Sequence, residues 1–186
     1  AVQPGNVTAE SFTGSVAVGA LIQAAAAKNA VPVTLELGGK SPQLVFADAD
    51  LEAALPFLVN AGIQNAGQTC SAASRILVQR PVFDTVVQRM AERYRALRVG
   101  PALDDPDVGP VISSRQQEIV EGYLALVRDS GLHIAAQAPL PPGLPSGGCW
   151  VRPTLVADVN PAHRLAQEEI FGPVLPVIPY TAVDDV

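Results

Sequence analysis

One cysteine stands where a nucleophile could work. Cys70 lies in Gly67-Gln68-Thr69-Cys70-Ser71-Ala72, between a helical and an extended pattern, and loops of that kind present their side chains. A thiol attacks a carbonyl only as thiolate, so it needs partial exposure and neighbouring donors. The small residues Ser71, Ala72 and Ala73 leave room for a carbonyl beside it. A free cysteine is more often a small buried apolar residue, so the loop alone leaves both readings open. Glu36 is the second candidate: a carboxylate in an apolar strand just before Gly38-Gly39. In a pocket, desolvation would raise its pKa into the range of a usable base; on a solvated face it would do nothing of the kind. Gly14-Ser15 begins a helix whose free N–H groups suit an anion, although such a start is usually only a cap. His133 and His163 are not tied by spacing to Cys70 and read as structural or surface residues. Cys149, before Trp150, reads as packing. The run Asp104-Asp105-Pro106-Asp107 lacks the spacing and terminal Glu of a calcium loop and reads as a solvated turn.

The elements that must position these residues are legible from periodicity. Val18, Leu21, Ile22, Ala25 and Ala26 recur at helical spacing behind Ser15, and residues 31–37 alternate as a strand. Residues 43–47 form a second short strand, after which Asp48 or Asp50 caps a helix carrying Leu51, Leu55, Leu58 and Val59, with Pro56 a local irregularity inside it. Residues 75–79 predict another strand. Pro81 opens the clearest helix, striped by Phe83, Val86, Val87, Met90, Tyr94 and Leu97 and closed by Gly100. A further helix centres on Ile119, Tyr123, Leu126 and Val127, followed by strands at 132–136, 150–156 and 174–178. Residues 138–148 hold four prolines and three glycines and read as a surface loop. Alternating helices and strands predict an α/β domain with a mainly parallel sheet.

Composition narrows the partners. Of 186 residues, 48% are apolar and only 16% charged, which argues for a packed core rather than disorder. Twelve basic against eighteen acidic residues give a net charge of −6 without a basic stripe, so nucleic acid is a poor partner. The start AVQPGNVTAE lacks a basic region followed by an apolar run, and the window 15–33 is interrupted by Gln23, Lys28 and Pro32, so neither a signal peptide nor a membrane span is expected. Two distant cysteines without CxxC spacing indicate no disulfide framework and no zinc site; a reducing cytoplasm is the expected home. No start methionine is present, and the chain is expected to be a piece of something longer.

Four motifs, taken in order, resemble the aldehyde dehydrogenase superfamily: Phe12-Thr13-Gly14-Ser15, then Leu35-Glu36-Leu37-Gly38-Gly39-Lys40-Ser41-Pro42, then Gly67-Gln68-Thr69-Cys70, then Glu168-Glu169-Ile170-Phe171-Gly172-Pro173-Val174. The resemblance covers essentially the whole chain, except the proline-rich loop at 138–148. It implies that Cys70 attacks an aldehyde to give a thiohemiacetal, that hydride passes to the nicotinamide of NAD or NADP, and that Glu36 activates the water releasing the acid from the resulting thioester. It implies too that Gly14 and Ser15 meet the cofactor pyrophosphate, that Leu37 and Gly38 approach the nicotinamide, and that Glu169 and Phe171 hold the nicotinamide ribose end. No metal is implied. The Glu at position 36 favours hydrolysis over acyl transfer to coenzyme A.

By the same resemblance, residues 1–37 are the end of the dinucleotide-binding domain, its last helix-strand unit. Residues 38–186 are a three-layer α/β/α catalytic domain with a mainly parallel twisted sheet, cut short at its C-terminus. The family's upstream oxyanion asparagine is missing, so the piece alone is expected to be inactive; the whole protein is expected to act on a small aldehyde as a homodimer or homotetramer. Two other readings remain: a non-catalytic folded module with an inert cysteine, and a cysteine-dependent hydrolase, which would need a histidine near Cys70.

Overall fold

The computed structural model describes residues 7–185, so the AVQPGN start read above lies outside the described residues. Contacts divide the chain into two compact units, Ala1–Gly39 and Lys40–Val186.

The first unit is a single strand-helix-strand turn. Strand β1 (Glu10–Gly14) pairs in parallel with β2 (Val33–Leu37), so that Thr13 lies opposite Glu36 and Gly14 opposite Leu37. Helix α1 (Val16–Ala27) connects them, and Ser15 is its N-cap, its Oγ accepting from the amide of Val18 at 3.3 Å. The helix settles closely on β2 because Gly19 has no side chain: a Cβ there would lie 2.6 Å from Leu37 Cδ2.

The second unit holds a five-stranded sheet in the order β3-β4-β7-β6-β5. Its strands are β3 (Ser41–Val45), β4 (Ala73–Gln79), β5 (His133–Gln137), β6 (Thr154–Ala157) and β7 (Val174–Tyr180). Only the β5–β6 pair is antiparallel. Every residue of β6 is buried, as is nearly all of β7, the pattern of strands covered on both faces. The expected α/β fold with a mainly parallel sheet is therefore the observed one.

Helix α2 (Leu51–Ile63) starts at Asp50, whose Oδ1 accepts from the amides of Glu52 (3.0 Å) and Ala53 (3.2 Å). Pro56 sits inside α2 without ending it. Helix α3 (Arg80–Ala96), with Pro81 in its first turn, buries Phe83, Val86, Met90, Ala91 and Tyr94. Helix α4 (Ser114–Asp129) is capped by Ser113, and α5 (Arg164–Gln167) is a single turn capped by His163.

Two expectations shift. Helix α4 buries Val120, Leu124 and Val127, while Ile119 is 39% exposed, so its inward face is rotated by one residue from the stripe read in the sequence. The strand expected from Trp150 begins only at Thr154. Pro153 has no N–H to give a ladder, and the stretch before it is held instead by a bridge between Cys149 and Val111 and by the Trp150 indole donating to the Pro145 carbonyl.

Candidate active site

The residues read as chemical divide between the units. Gly14, Ser15, Glu36, Leu37 and Gly38 lie in the first; Cys70, Glu169 and Phe171 lie in the second. In the first unit Glu36 is exposed in β2, on the face opposite half-buried Leu35 and Leu37. Gly14 ends β1 and Ser15 caps α1. The first-turn amides of a helix have no intrahelical acceptor, so this turn presents N–H groups to whatever lies beyond it.

In the second unit the chain between α2 and β4 turns left-handed. Asn65 (φ 50°), Ala66 (φ 54°) and Gly67 (φ 74°) follow one another in that region. Asparagine and glycine accept such angles readily, whereas for Ala66 the cost is about 1–2 kcal/mol. Reciprocal bonds offset it: Asn65 Nδ2 donates to the Gln68 carbonyl and Gln68 Nε2 to the Asn65 carbonyl, both at 3.0 Å. The remaining side-chain acceptor of Gln68, Oε1, takes the amide of Ile112 at 2.9 Å. Two residues further on, Cys70 is exposed in a turn closed by the Ala72 amide donating to the Thr69 carbonyl at 3.0 Å. The other cysteine, Cys149, is half-buried against the core.

The 168–173 loop lies against this turn. A Cβ built on Gly67 would overlap the carbonyl group of Gly172, and one on Gly172 would overlap Val120 of α4. Gly67, Gly172 and α4 are thus stacked in direct contact, and only glycine fits either place. Phe171 is itself left-handed (φ 55°) and 38% exposed. Gln116 holds it there: its Nε2 donates to the carbonyls of Ile170 and Phe171, each at 2.9 Å.

The two adjacent glutamates differ. Glu168 is held by Arg164 through two bonds of 2.8 Å and by the Tyr123 hydroxyl, also at 2.8 Å. The Arg164 bonds, then the Tyr123 bond, lower its pKa to about 2. Burial, then the same carboxylate, raises Tyr123 to about 12. Glu169 is half-buried, and its carboxylate makes no side-chain hydrogen bond to the described residues. It is free to accept.

A residue that sequence reading passed over, Lys40, lies near both. Its Nζ is buried and without a hydrogen-bond partner among the described residues. Burial and the Arg75 charge push its pKa down to about 8, against the opposite pull of Glu169 and Glu168. Lys40 was legible only as one letter of its motif. The histidines stay apart from this chemistry: His133 is exposed in β5, and His163 accepts the Leu165 amide on Nδ1 at 3.1 Å. The described residues contain no cluster of three His, Cys, Asp or Glu able to hold a metal. No helix among them is long and apolar enough to cross a membrane.

A parallel α/β domain with an exposed cysteine on a glycine-bearing turn, backed by a loop with an uncommitted carboxylate, defines a recognisable class. The profile of the aldehyde dehydrogenase family matches residues 2–186, and the chain belongs to that family. Betaine aldehyde dehydrogenase from Cereibacter sphaeroides is 41% identical over an alignment of 187 positions that covers 99% of this chain and 38% of that protein. A Burkholderia cenocepacia structure assigned to the aldehyde dehydrogenases superposes with a TM-score of 0.93 at 51% identity, over 95% of this chain and 38% of that one. Betaine aldehyde dehydrogenase from Staphylococcus aureus, solved in complex with NAD+, gives a TM-score of 0.87 at 38% identity over 92% of this chain and 34% of that one. The chain therefore spans a little over a third of the length of the relatives it matches.

Proposed function

We propose that the chain is the nucleophile-bearing part of an NAD(P)-dependent aldehyde dehydrogenase, oxidising a small aldehyde to its acid, with Cys70 and Glu36 as its catalytic residues. The observation that carries this reading is the exposure of Cys70 on a turn packed directly against the Glu169–Phe171 loop, in a chain of this family. The Cys70 thiolate adds to the aldehyde carbon and the carbonyl oxygen becomes an alkoxide beside the Cys70 amide. Loss of hydride from that carbon leaves a thioester on Cys70. Glu36 takes a proton from water, which attacks the thioester; the carboxylic acid leaves and the thiolate returns.

The residues present fit the nicotinamide cofactor. The Gly14-Ser15 helix start offers backbone N–H donors suited to a pyrophosphate, Leu37 and Gly38 would lie toward the nicotinamide, and Glu169 is free to accept from a ribose diol, with Phe171 beside it. The bound cofactor supplies the hydride acceptor. The boundary of the dinucleotide-binding portion at residue 37, release of a free acid rather than a coenzyme A ester, a homo-oligomeric whole and a cytoplasmic setting belong to the same proposal and rest on the family resemblance.

The test is thiol labelling of a full-length protein bearing this chain, with and without NAD, the modified cysteine being located by mass spectrometry. Cys70 is expected to label faster than Cys149 and to respond to NAD. Equal, sluggish labelling of both under both conditions would favour the non-catalytic module instead. In the same protein Cys70→Ala is expected to lower aldehyde oxidation by at least about 10³-fold, and Glu36→Gln by about 10²–10⁴-fold. The 186-residue chain alone is expected to produce no NADH.

A further inference from the structure

The turn carrying Cys70 and the loop carrying Glu169 and Phe171 are both fastened to the same short stretch, the entry into α4. Gln68 reaches that stretch by accepting the Ile112 amide, and Gln116, within it, reaches out by donating to Ile170 and Phe171. The stretch is itself anchored: the Val111 amide donates to the Cys149 carbonyl at 3.0 Å, Ser113 Oγ accepts the Gln116 amide at 3.2 Å, and Gln117 Nε2 donates to the Trp150 carbonyl at 2.9 Å. Between the two fastenings the loops touch directly, Gly67 on Gly172.

We propose that residues 111–117 are a brace that sets the nucleophile turn and the cofactor-side loop against each other, with Gln68 and Gln116 as its two positioning residues. Neither residue is assigned any contact with substrate or cofactor. Each acts through a backbone it holds: Gln68 through the strained left-handed turn leading to Cys70, Gln116 through the left-handed Phe171. The inference rests on the reading of Cys70 as nucleophile for its meaning in catalysis, but the brace itself can be measured without it.

The polarity of the bonds makes the test sharp. Gln68 meets the brace as an acceptor, so Gln68→Glu keeps that bond while losing the Nε2 bond to the Asn65 carbonyl inside the turn. Gln116 meets its loop only as a donor, so Gln116→Glu loses both bonds and sets a carboxylate against two carbonyl oxygens. At the brace, isosteric substitutions of the same kind should therefore have opposite outcomes, Q68E keeping its bond to Ile112 and Q116E losing both of its bonds. In the 186-residue chain, amide hydrogen exchange and the iodoacetamide labelling rates of Cys70 and Cys149 are compared among wild type, Q68E, Q68A and Q116E. Q68E is expected to leave Ile112 protected, although the turn loses one of its two reciprocal bonds. Q68A should speed Ile112 exchange at least about tenfold and change Cys70 labelling at least about fivefold, with Cys149 unchanged. Q116E should speed exchange at Phe171, Gly172 and Val174 at least about tenfold and also change Cys70 labelling, although Gln116 does not touch that turn.

Cys70 labelling unmoved by both Q68A and Q116E would overturn the proposal, as would Q68E proving as disruptive to Ile112 as Q68A. If Q68A does not fold, as judged by far-UV circular dichroism, two readings decide: Ile112 protection in Q68E and the change of Cys70 labelling in Q116E. If wild-type Cys70 labels no faster than Cys149, the nucleophile reading falls while the exchange data still decide the brace.

Discussion

The two units solve the same problem with very different means. In the first, β1 and β2 alternate half-buried and exposed along their length, α1 buries only Gly19 and Ala26, and Leu21 is 70% exposed. In the second, one continuous core runs from Val45 to Ile178, and strands β6 and β7 are inside it along almost their whole length. Hydrophobic burial is roughly proportional to the apolar area removed from water, so nearly all of that stabilisation resides in the second unit. The first is held by local features: a serine cap, a parallel ladder of five residue pairs and the seat of Gly19 on Leu37. Within this chain α1 has only β1 and β2 of its own unit to pack on, and its apolar residues stay largely exposed.

The largest expected effect is in local opening. Native-state hydrogen exchange on the 186-residue chain should find the amides of β6 and β7 protected at least about 10³-fold more than those of β1 and β2. Comparable protection in both would dissolve the contrast. Next in size is core truncation. Leu155→Ala, at a fully buried site in β6, should cost about 2–5 kcal/mol in urea denaturation. Leu21→Ala, on the exposed side of α1, should stay within about 0.5 kcal/mol.

Lys40 sharpens the contrast at its edge, as a costly feature inside the stable unit. Its folded pKa of about 8 lies below the ordinary 10.5. Below pH 8 the ammonium is charged in both states and the full penalty is present. Between pH 8 and 10.5 the unfolded chain holds the proton that the folded one has released, so stability rises with pH; above 10.5 the penalty is gone. Tyr123, raised to about 12, acts in the opposite direction once the unfolded tyrosine ionises near pH 10. The difference between wild type and Lys40→Met isolates the lysine: K40M should be more stable by on the order of 2–3 kcal/mol at pH 7, with the gap closing toward pH 10.5. A gap independent of pH would show that the ammonium is not desolvated as described.

What the sequence made legible follows from how local each signal is. Asp50 and Ser15 mark their helices because a cap acts within three residues, and the stripe of α3 is visible because Pro81 fixes its start. The phase of α4 was not, since Ile119 and Val120 are adjacent apolar residues and only the tertiary packing, with Val120 set against Gly172, separates them. Nor was the order of the sheet, in which β7 enters between β4 and β6, a pairing of residues about a hundred positions apart. At the site, the Cys70 turn and the Glu169–Phe171 loop announce themselves by their motifs. The glutamines that fasten them do not, because a long polar side chain bonds to whatever backbone the fold brings near, and sequence spacing carries no record of that.

The insertion of β7 sets the timetable of assembly. Of these five strands a ribosome makes β3 and β4 first, then β5 and β6, and the middle strand after the other four. Until residue 180 has emerged, the nascent chain carries two separate ribbons, and the flanks of β4 and β6 that will meet β7 are open to any passing strand. The closing stretch Val174–Tyr180 therefore works as a keystone, and the second unit has no finished half that could wait safely without it.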